Sequence, residues 1–294
     1  MTVRIGFKTS PQDVDWPTLD ATWARAGQLG VFDSGWLNDH LTNTDPEVPG
    51  PSLEALTLMA ALVHHVPGLA VGHAVLSNTF RHPVVLAKAA TVLDHATAGH
   101  FVLGLGAGWF EGEHEPFGLE LPPIGRRIDR LVSAVAVLEA LFSPEAAAPP
   151  GVTRPDPFYP LAGATNMPPP LTPGGPPLYL GGQGPRGIRL AAQSAAGWLV
   201  PGVNAGDVEY FRGKRQELAE AMQAIGRNPA DFDYVAQVAA GRTEASRAAA
   251  LNASRGLIDA GATHVVIQLP ADLGPVGLDV LARELAEPLR LEVG

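Results

Sequence analysis

The stretch Asn38-Asp39-His40-Leu41 sets a carboxylate beside an imidazole directly after an apolar run. An imidazole so placed donates or accepts a proton near neutral pH. The same pair also fits a loop in which the two side chains cap each other. A second stretch, GLGAGWFEGEHEPFG at 104–118, begins like a dinucleotide fingerprint with Gly104 and Gly106. Trp109 stands where the third glycine would pack a helix on the sheet, so that reading fails. Two readings of Gly106-Ala107-Gly108 remain: glycines that bend a strand end, or bare backbone against which a flat ligand lies. The acidic part, Glu111, Glu113, His114 and Glu115, lacks the ligand spacing of a zinc site. It reads as solvated charge on a loop, and no metal is expected.

Two further stretches follow apolar runs. In Ser77–Pro83, SNTFRHP, Arg81 reads as the partner of a nearby carboxylate and His82 as a helix cap before Pro83. In PLYLGGQGPRG, Gly181-Gly182-Gln183-Gly184 separates an apolar run from a helical stretch. Main-chain N–H groups at a helix start hold anions, and glycines allow close approach. The Gly-Lys-Ser/Thr of a nucleoside triphosphate loop is missing. The turn therefore reads as a phosphate grip, with Gly182 a candidate for a positive φ.

These stretches must be positioned by what lies between them. Apolar runs at Val3–Phe7, Val31–Leu37, Leu69–Leu76, Phe101–Leu105, Leu178–Leu180, Trp198–Pro201, Tyr234–Ala240 and His264–Leu269 predict strands. Between them, helical periodicity covers Trp16–Leu29, Ser52–His64 (capped by Ser52), Pro83–His95, Arg126–Phe142, Arg186–Ala196, Asp207–Ile225, Glu244–Ala260 and Val276–Leu289. Continuous apolar strands belong to a parallel sheet covered on both faces. Eight strand–helix units in one chain predict a (β/α)8 TIM barrel over 1–294, one domain, rather than a doubly wound open sheet. Residues 143–177, crowded with proline and glycine, are too long for an ordinary connection and read as an insertion near a functional edge.

Composition excludes several functions. A net charge of −10 argues against nucleic acid and anionic membrane as partners. The absence of cysteine removes disulfides, thiolate metal sites and a cysteine nucleophile. No apolar window approaches a membrane span, and the first residues lack a secretory pattern, so a cytoplasmic enzyme is expected.

Taken together, VFDSGWLNDHL (31–41), AVLSNTFRHPVVLAKAATVLDHATAGHFVLGLGAGWFEGEHEPFG (74–118), GRRIDRL (125–131) and PLYLGGQGPRGIRLAAQSAAGW (177–198) resemble the luciferase-like monooxygenase superfamily, and within it the branch that uses the deazaflavin coenzyme F420. The resemblance covers most of residues 1–200 and thins after Trp198. It implies a barrel of the bacterial luciferase type with the cofactor ring in its mouth, and a homodimer. It also implies Asp39 and the catalytic His40 near the ring edge, and a non-proline cis peptide around Val75–Leu76 behind the ring. Ser77 and Asn78 join Val75 and Leu76 on the cofactor; Gly106, Ala107 and Gly108 flank it, and Gly181, Gly182, Gln183 and Gly184 hold its phosphate. Arg186 stands where it offsets the acidic tail of F420. Sugar-phosphate dehydrogenases of this branch carry a catalytic glutamate where this chain has Trp109, and basic residues for the substrate phosphate that no lysine in its second half matches. The expected substrate is therefore small and apolar or aromatic, met by Trp36, Phe80, Trp109 and Phe110. The implied activity is hydride transfer with F420. An FMN-dependent monooxygenase and a non-catalytic flavin binder are the alternatives.

Overall fold

In the computed structural model, which describes residues 3–44 and 50–293, the apolar runs pair side by side as parallel strands. These are β1 (Arg4–Thr9), β2 (Ser34–Leu37), β3 (Ala70–His73), β4 (Phe101–Gly106), β5 (Leu178–Leu180), β6 (Gly197–Leu199), β7 (Asp233–Ala239) and β8 (His264–Gln268). The order runs β3-β2-β1-β8-β7-β6-β5-β4; β3 pairs with β4 to close the ring, and a two-residue strand, Leu76–Ser77, continues β3 along β4. The outer helices are α1 (Trp16–Leu29), α2 (Ala55–Leu62), α3 (Pro83–Ala96), α4 (Ile124–Phe142), α5 (Pro185–Ser194), α6 (Val208–Gln223), α7 (Glu244–Asp259) and α8 (Gly274–Leu281). The last continues through a π turn, Ala282–Ala286, into Glu287–Val293, past the expected end at Leu289. This is the expected (β/α)8 barrel. No described helix is long and apolar enough to cross a membrane.

The helix ends follow local chemistry. Asp15 accepts the Thr18 N–H at 3.0 Å to open α1, and Gly30, at φ +62°, ends it. His82 Nδ1 accepts the Val84 N–H at 3.3 Å and caps α3 ahead of Pro83, as expected. Ser52 does not cap α2. Glu54 does, accepting the Thr57 N–H at 2.6 Å, while Ser52 Oγ donates to the His40 carbonyl at 2.7 Å.

Two apolar layers result. Ile5 and Phe7 of β1 face outward, and the Phe7 ring meets Trp23 of α1 at 5.1 Å. Inside the ring, Trp36, Val102, Tyr179, Leu199, Val235 and Val266 form a separate buried cluster. Trp36 was expected at the mouth. It is instead wholly buried in the barrel, 6.2 Å from the Tyr179 ring, with Nε1 donating to Ser34 Oγ at 2.7 Å. At the opposite end of the barrel, Arg4 pairs with Asp233 at 2.5 Å and Tyr179 donates to the same carboxylate. His264, pushed down to about 3 by burial and by Arg4, stays neutral against Ser34.

The ring closes where β3 meets β4, and the match is uneven. Gly72 pairs with Val102, and the next paired residue, Leu76, faces Leu105. Four steps on one strand answer three on the other, so β3 carries one extra residue, a bulge that re-aims its side chains. The Ala74–Val75 peptide within it is cis, one residue earlier than expected. Glycines on β4 make this possible. A Cβ on Gly104 would lie 1.8 Å from the His73 carbonyl oxygen, and one on Gly106 would lie 2.7 Å from a Val75 methyl.

Residues 143–177 form a short 3-10 turn and a two-stranded hairpin, Val152–Arg154 with Leu161–Ala164. Side chains of α3 pin the segment. Asp94 accepts the Thr172 N–H at 2.7 Å and its hydroxyl at 2.8 Å, and Asn166 Nδ2 donates to Thr91 at 3.0 Å.

The seam is testable by stability. Gly104→Ala drives a methyl into a main-chain oxygen that cannot rotate away, and is expected to cost about 3 kcal/mol or more. Gly213→Ala, in the middle of α6 with open space around it, is expected to stabilise by about 0.5–1 kcal/mol. Urea denaturation of both variants checks the pair, and a neutral Gly104→Ala contradicts the seam described above.

Candidate active site

Three loops converge at the C-terminal rim of the strands, the end where barrel enzymes place their chemistry. Asp39, just past β2, is buried. Its carboxylate accepts the Ser77 N–H at 2.8 Å and both ends of the Arg81 guanidinium at 2.6 and 2.9 Å. Arg81 also pairs with Glu54. Burial alone lowers the affinity of Arg81 for its proton, but Asp39 and Glu54 outweigh it and raise it. The arginine thus pairs with a carboxylate, as its sequence context implied. Asp39 serves the loop after β3 and makes no bond to His40.

His40 has a different partner. Its Nδ1 lies 3.0 and 3.1 Å from the two oxygens of Glu113, and the Leu41 N–H donates to Glu113 at 2.9 Å. Glu113 sits on a one-turn helix, Glu111–His114. The expectation of solvated loop charge fails for two of the four residues there: Glu113 is 2% and His114 1% exposed. His40 Nε2 has no partner among the described residues and is not among the buried polar atoms, so it opens to solvent. Trp109 and Phe110 stand edge-on to the ring at 5.8 and 6.3 Å.

His114 holds the neighbouring loop. Its Nδ1 donates to the Phe110 carbonyl at 2.7 Å, so a neutral ring accepts at Nε2 from Thr79 Oγ1, also at 2.7 Å. Thr79 in turn accepts from Ser77 Oγ at 2.6 Å. The hydroxyl directions are then fixed along the chain. Gly108, at φ +79°, leaves room for both hydroxyls, and its carbonyl accepts from Arg127.

Gly106 does not present bare backbone to a ligand. Val75 fills that space, wedged against Gly104, Gly106 and Gly181. Ala107 and Gly108 beyond it are half-buried at the rim. Past β5, the N–H groups of Gly182, Gln183 and Gly184 find no acceptor among the described residues, and Gly184 is the N-cap of the ten-residue α5. Free N–H groups at a helix start are able to donate to an anion. Gly182 does not take a positive φ; it is glycine because a Cβ would lie 3.0 Å from Gly187 Cα. Trp198 Nε1 donates to the Gly182 carbonyl at 2.9 Å and Tyr210 to Gln183, which steadies the turn. Arg186 is spent on Asp129 and the Gly125 carbonyl.

Asn78 was expected on the cofactor, whereas the roles of Asn38, Lys8 and Phe117 escaped the sequence reading. Asn78 Oδ1 and Asn38 Oδ1 are buried acceptors with no partner among the described residues. Such orphans point to a ligand with donors of its own. Lys8 projects inside the barrel near its mouth, buried, with Nζ donating to Gln237 Oε1 at 2.8 Å. Burial pushes its ammonium down to about 8. The aromatic rim is uneven. Trp109 is 60% and Phe117 55% exposed, while Phe80 lines an outer groove with Leu41, Arg81, Phe117 and Leu119.

Comparison with known proteins now bears on this geometry. A family model described as luciferase-like monooxygenase matches residues 9–276, well beyond Trp198, where the sequence resemblance thinned. An F420-dependent glucose-6-phosphate dehydrogenase of Microbacterium testaceum is 30% identical over 239 residues, 80% of this chain and 67% of that one. A phthiodiolone/phenolphthiodiolone dimycocerosates ketoreductase of Mycobacterium tuberculosis is 30% identical over 232 residues, 72% of this chain and 58% of that one. Among solved structures, an F420-dependent secondary alcohol dehydrogenase in complex with an F420-acetone adduct superposes with a TM-score of 0.76 over 99% of both chains. At 18% identity that likeness concerns the fold.

Lys8 makes stability depend on pH. Its ordinary value is 10.5 and its folded value about 8. Between these the unfolded chain holds a proton that the native chain has released, so stability rises with pH. The rise approaches ~3 kcal/mol. Burial raises Tyr179, so its own contribution has the opposite sign and begins to lower stability as pH nears the ordinary tyrosine value of 10.0. Urea titrations from about pH 7.5 to about 9, below the tyrosine range, are expected to show the increase in the wild type and none in Lys8→Met. A flat wild-type profile contradicts the buried placement of the lysine.

Proposed function

The chain belongs to the luciferase-like monooxygenase family, and we propose that it is an oxidoreductase that moves a hydride between coenzyme F420 and a small, apolar or aromatic organic substrate. The observation that carries this reading is the pairing of a solvent-open His40 nitrogen, held from behind by Glu113, with a glycine turn of free N–H groups at the start of α5. The F420-dependent relative that aligns with 80% of the chain supports the cofactor.

The residues fit that cofactor. Gly182, Gln183 and Gly184 supply a cradle for its phosphate, helped by the α5 dipole. Val75, Leu76, Ser77 and Asn78 form the shelf and edge for its ring, with the orphaned Asn78 oxygen placed to accept an N–H. Asp39 fixes this shelf through the Ser77 N–H. The bound deazaflavin would supply the hydride chemistry. His40 exchanges the accompanying proton with the substrate oxygen through Nε2, and Trp109 and Phe110 exclude water from that transfer.

The substrate class follows from the rim. Trp109 occupies the position implied for a catalytic glutamate in the sugar-phosphate enzymes. Lys214, in the second half, is engaged by Glu217 on the surface. Exposed Trp109 and Phe117 favour an apolar molecule over a phosphorylated sugar. The same reading includes a homodimer. Val85 and Val92, two turns apart on α3, are 61% and 62% exposed, an apolar stripe of the kind a second copy covers.

Titration of the protein with F420, FMN and riboflavin tests the cofactor. F420 is expected to bind at least about tenfold more tightly than FMN, and FMN more tightly than riboflavin through the phosphate cradle. FMN binding tighter than F420 would replace the hydride-transfer reading with an FMN-dependent monooxygenase. His40→Ala is expected to leave F420 affinity unchanged while slowing single-turnover hydride transfer about 100- to 10,000-fold. Light scattering is expected to give a dimer at micromolar concentration, and a monomer there overturns the assembly.

A further inference from the structure

Glu113 lies on the far side of His40 from solvent, on a different loop, and uses both of its oxygens. The Leu41 N–H can only donate, and it occupies Oε2 at 2.9 Å. A carboxylate has no proton to give, so His40 Nδ1, at 3.0 Å from Oε1, must donate as well. A neutral ring then carries its one proton on Nδ1 and presents a bare lone pair at Nε2, the nitrogen that opens to solvent. The orientation is locked from other sides. Ser52 Oγ holds the His40 carbonyl at 2.7 Å, and Trp109 and Phe110 stand edge-on to the imidazole. Glu113 itself is 2% exposed, so water does not compete for its oxygens.

We infer that Glu113 is the positioning residue of the reaction: it sets the tautomer of His40 so that Nε2 accepts a proton from substrate, and it stabilises the imidazolium that results. This deepens the proposed function and rests on it for the role of His40. The arrangement makes alcohol oxidation the direction in which the resting enzyme is poised. The substrate hydroxyl gives its proton to Nε2 while its carbon gives a hydride to the cofactor, and the carbonyl product forms as the O–H and C–H bonds break. In the reverse direction the imidazolium, held by Glu113, returns the proton to the alkoxide oxygen as hydride reaches the carbonyl carbon.

The tautomer itself is the test, read from imidazole nitrogen-15 shifts of the full-length protein without cofactor, with His40→Ala identifying the His40 signals. The expected result is a proton on Nδ1 in the wild type and on Nε2 in Glu113→Gln. Glutamine must turn its single oxygen to the Leu41 N–H, which leaves its amide donors facing Nδ1. Single-turnover transfer in Glu113→Gln is expected to fall about 100-fold or more while F420 affinity stays within about twofold. A wild-type ring protonated on Nε2, or a Glu113→Gln ring still protonated on Nδ1, overturns the inference. The wild-type spectrum decides by itself if the variant fails to fold. The functional reading fails separately: His40→Ala transferring hydride at the wild-type rate removes His40 from the reaction and leaves the tautomer result standing.

Discussion

The barrel closes on an unequal pairing, and the arrangement of its mouth depends on that constraint. Between Gly72 and Leu76 the chain of β3 spends one residue more than β4 does between Val102 and Leu105. Outside the strand, His73 Nε2 donates to the Ala55 carbonyl of α2. Val75 packs against Gly104, Gly106 and Gly181 at the strand ends, and Ser77 and Asn78 follow it, both buried. The bulge is tolerated because Gly104 and Gly106 remove the atoms it would strike. A structural irregularity at one seam thus sets Val75 among the glycines at the strand ends.

A second consequence concerns rigidity. Loops over a barrel are ordinarily its least ordered parts. This rim is bound into one piece by side chains that reach across it. Asp39 ties the loop after β2 to the loop after β3. Glu113 and His114, neighbours on one helical turn, bind the loop after β4 to those same two loops, one each. Arg127 adds α4 through the Gly108 carbonyl. Little reorganisation is needed before a ligand is met, which is how a preorganised site lowers its cost of binding.

Local signals made much of this legible in the sequence. The period of Trp16–Leu29 and the apolar run Leu178–Leu180 matched the observed elements to the residue. Strand β2 begins at Ser34, later than its apolar run implied, because Val31 and Phe32 pack beneath the sheet while the Asp33 carboxylate takes the Ile5 N–H. The site was readable where a residue type limits what it can do: His40 after a strand, the glycines before α5. It was unreadable where the role arises from distant chain. Nothing in Glu-Gly-Glu-His-Glu distinguishes the glutamate that meets His40, 73 residues away, from its solvated neighbours. Trp36 shows the converse. An aromatic beside a rim motif belongs to the interior because strand alternation, not proximity in sequence, decides which way it points.

The segment at 143–177 stands apart from this economy. It is fastened to α3 by Asp94 and Thr91, well away from the strand ends, and its hairpin brings Phe158 and Tyr159 back beside Asn78 and Arg126. Anchor and tip are thereby separated: the anchoring contacts lie in one part of the segment and Phe158 and Tyr159 in another. Such a division leaves the turn between Arg154 and Leu161 free of the contacts that fasten the segment to α3.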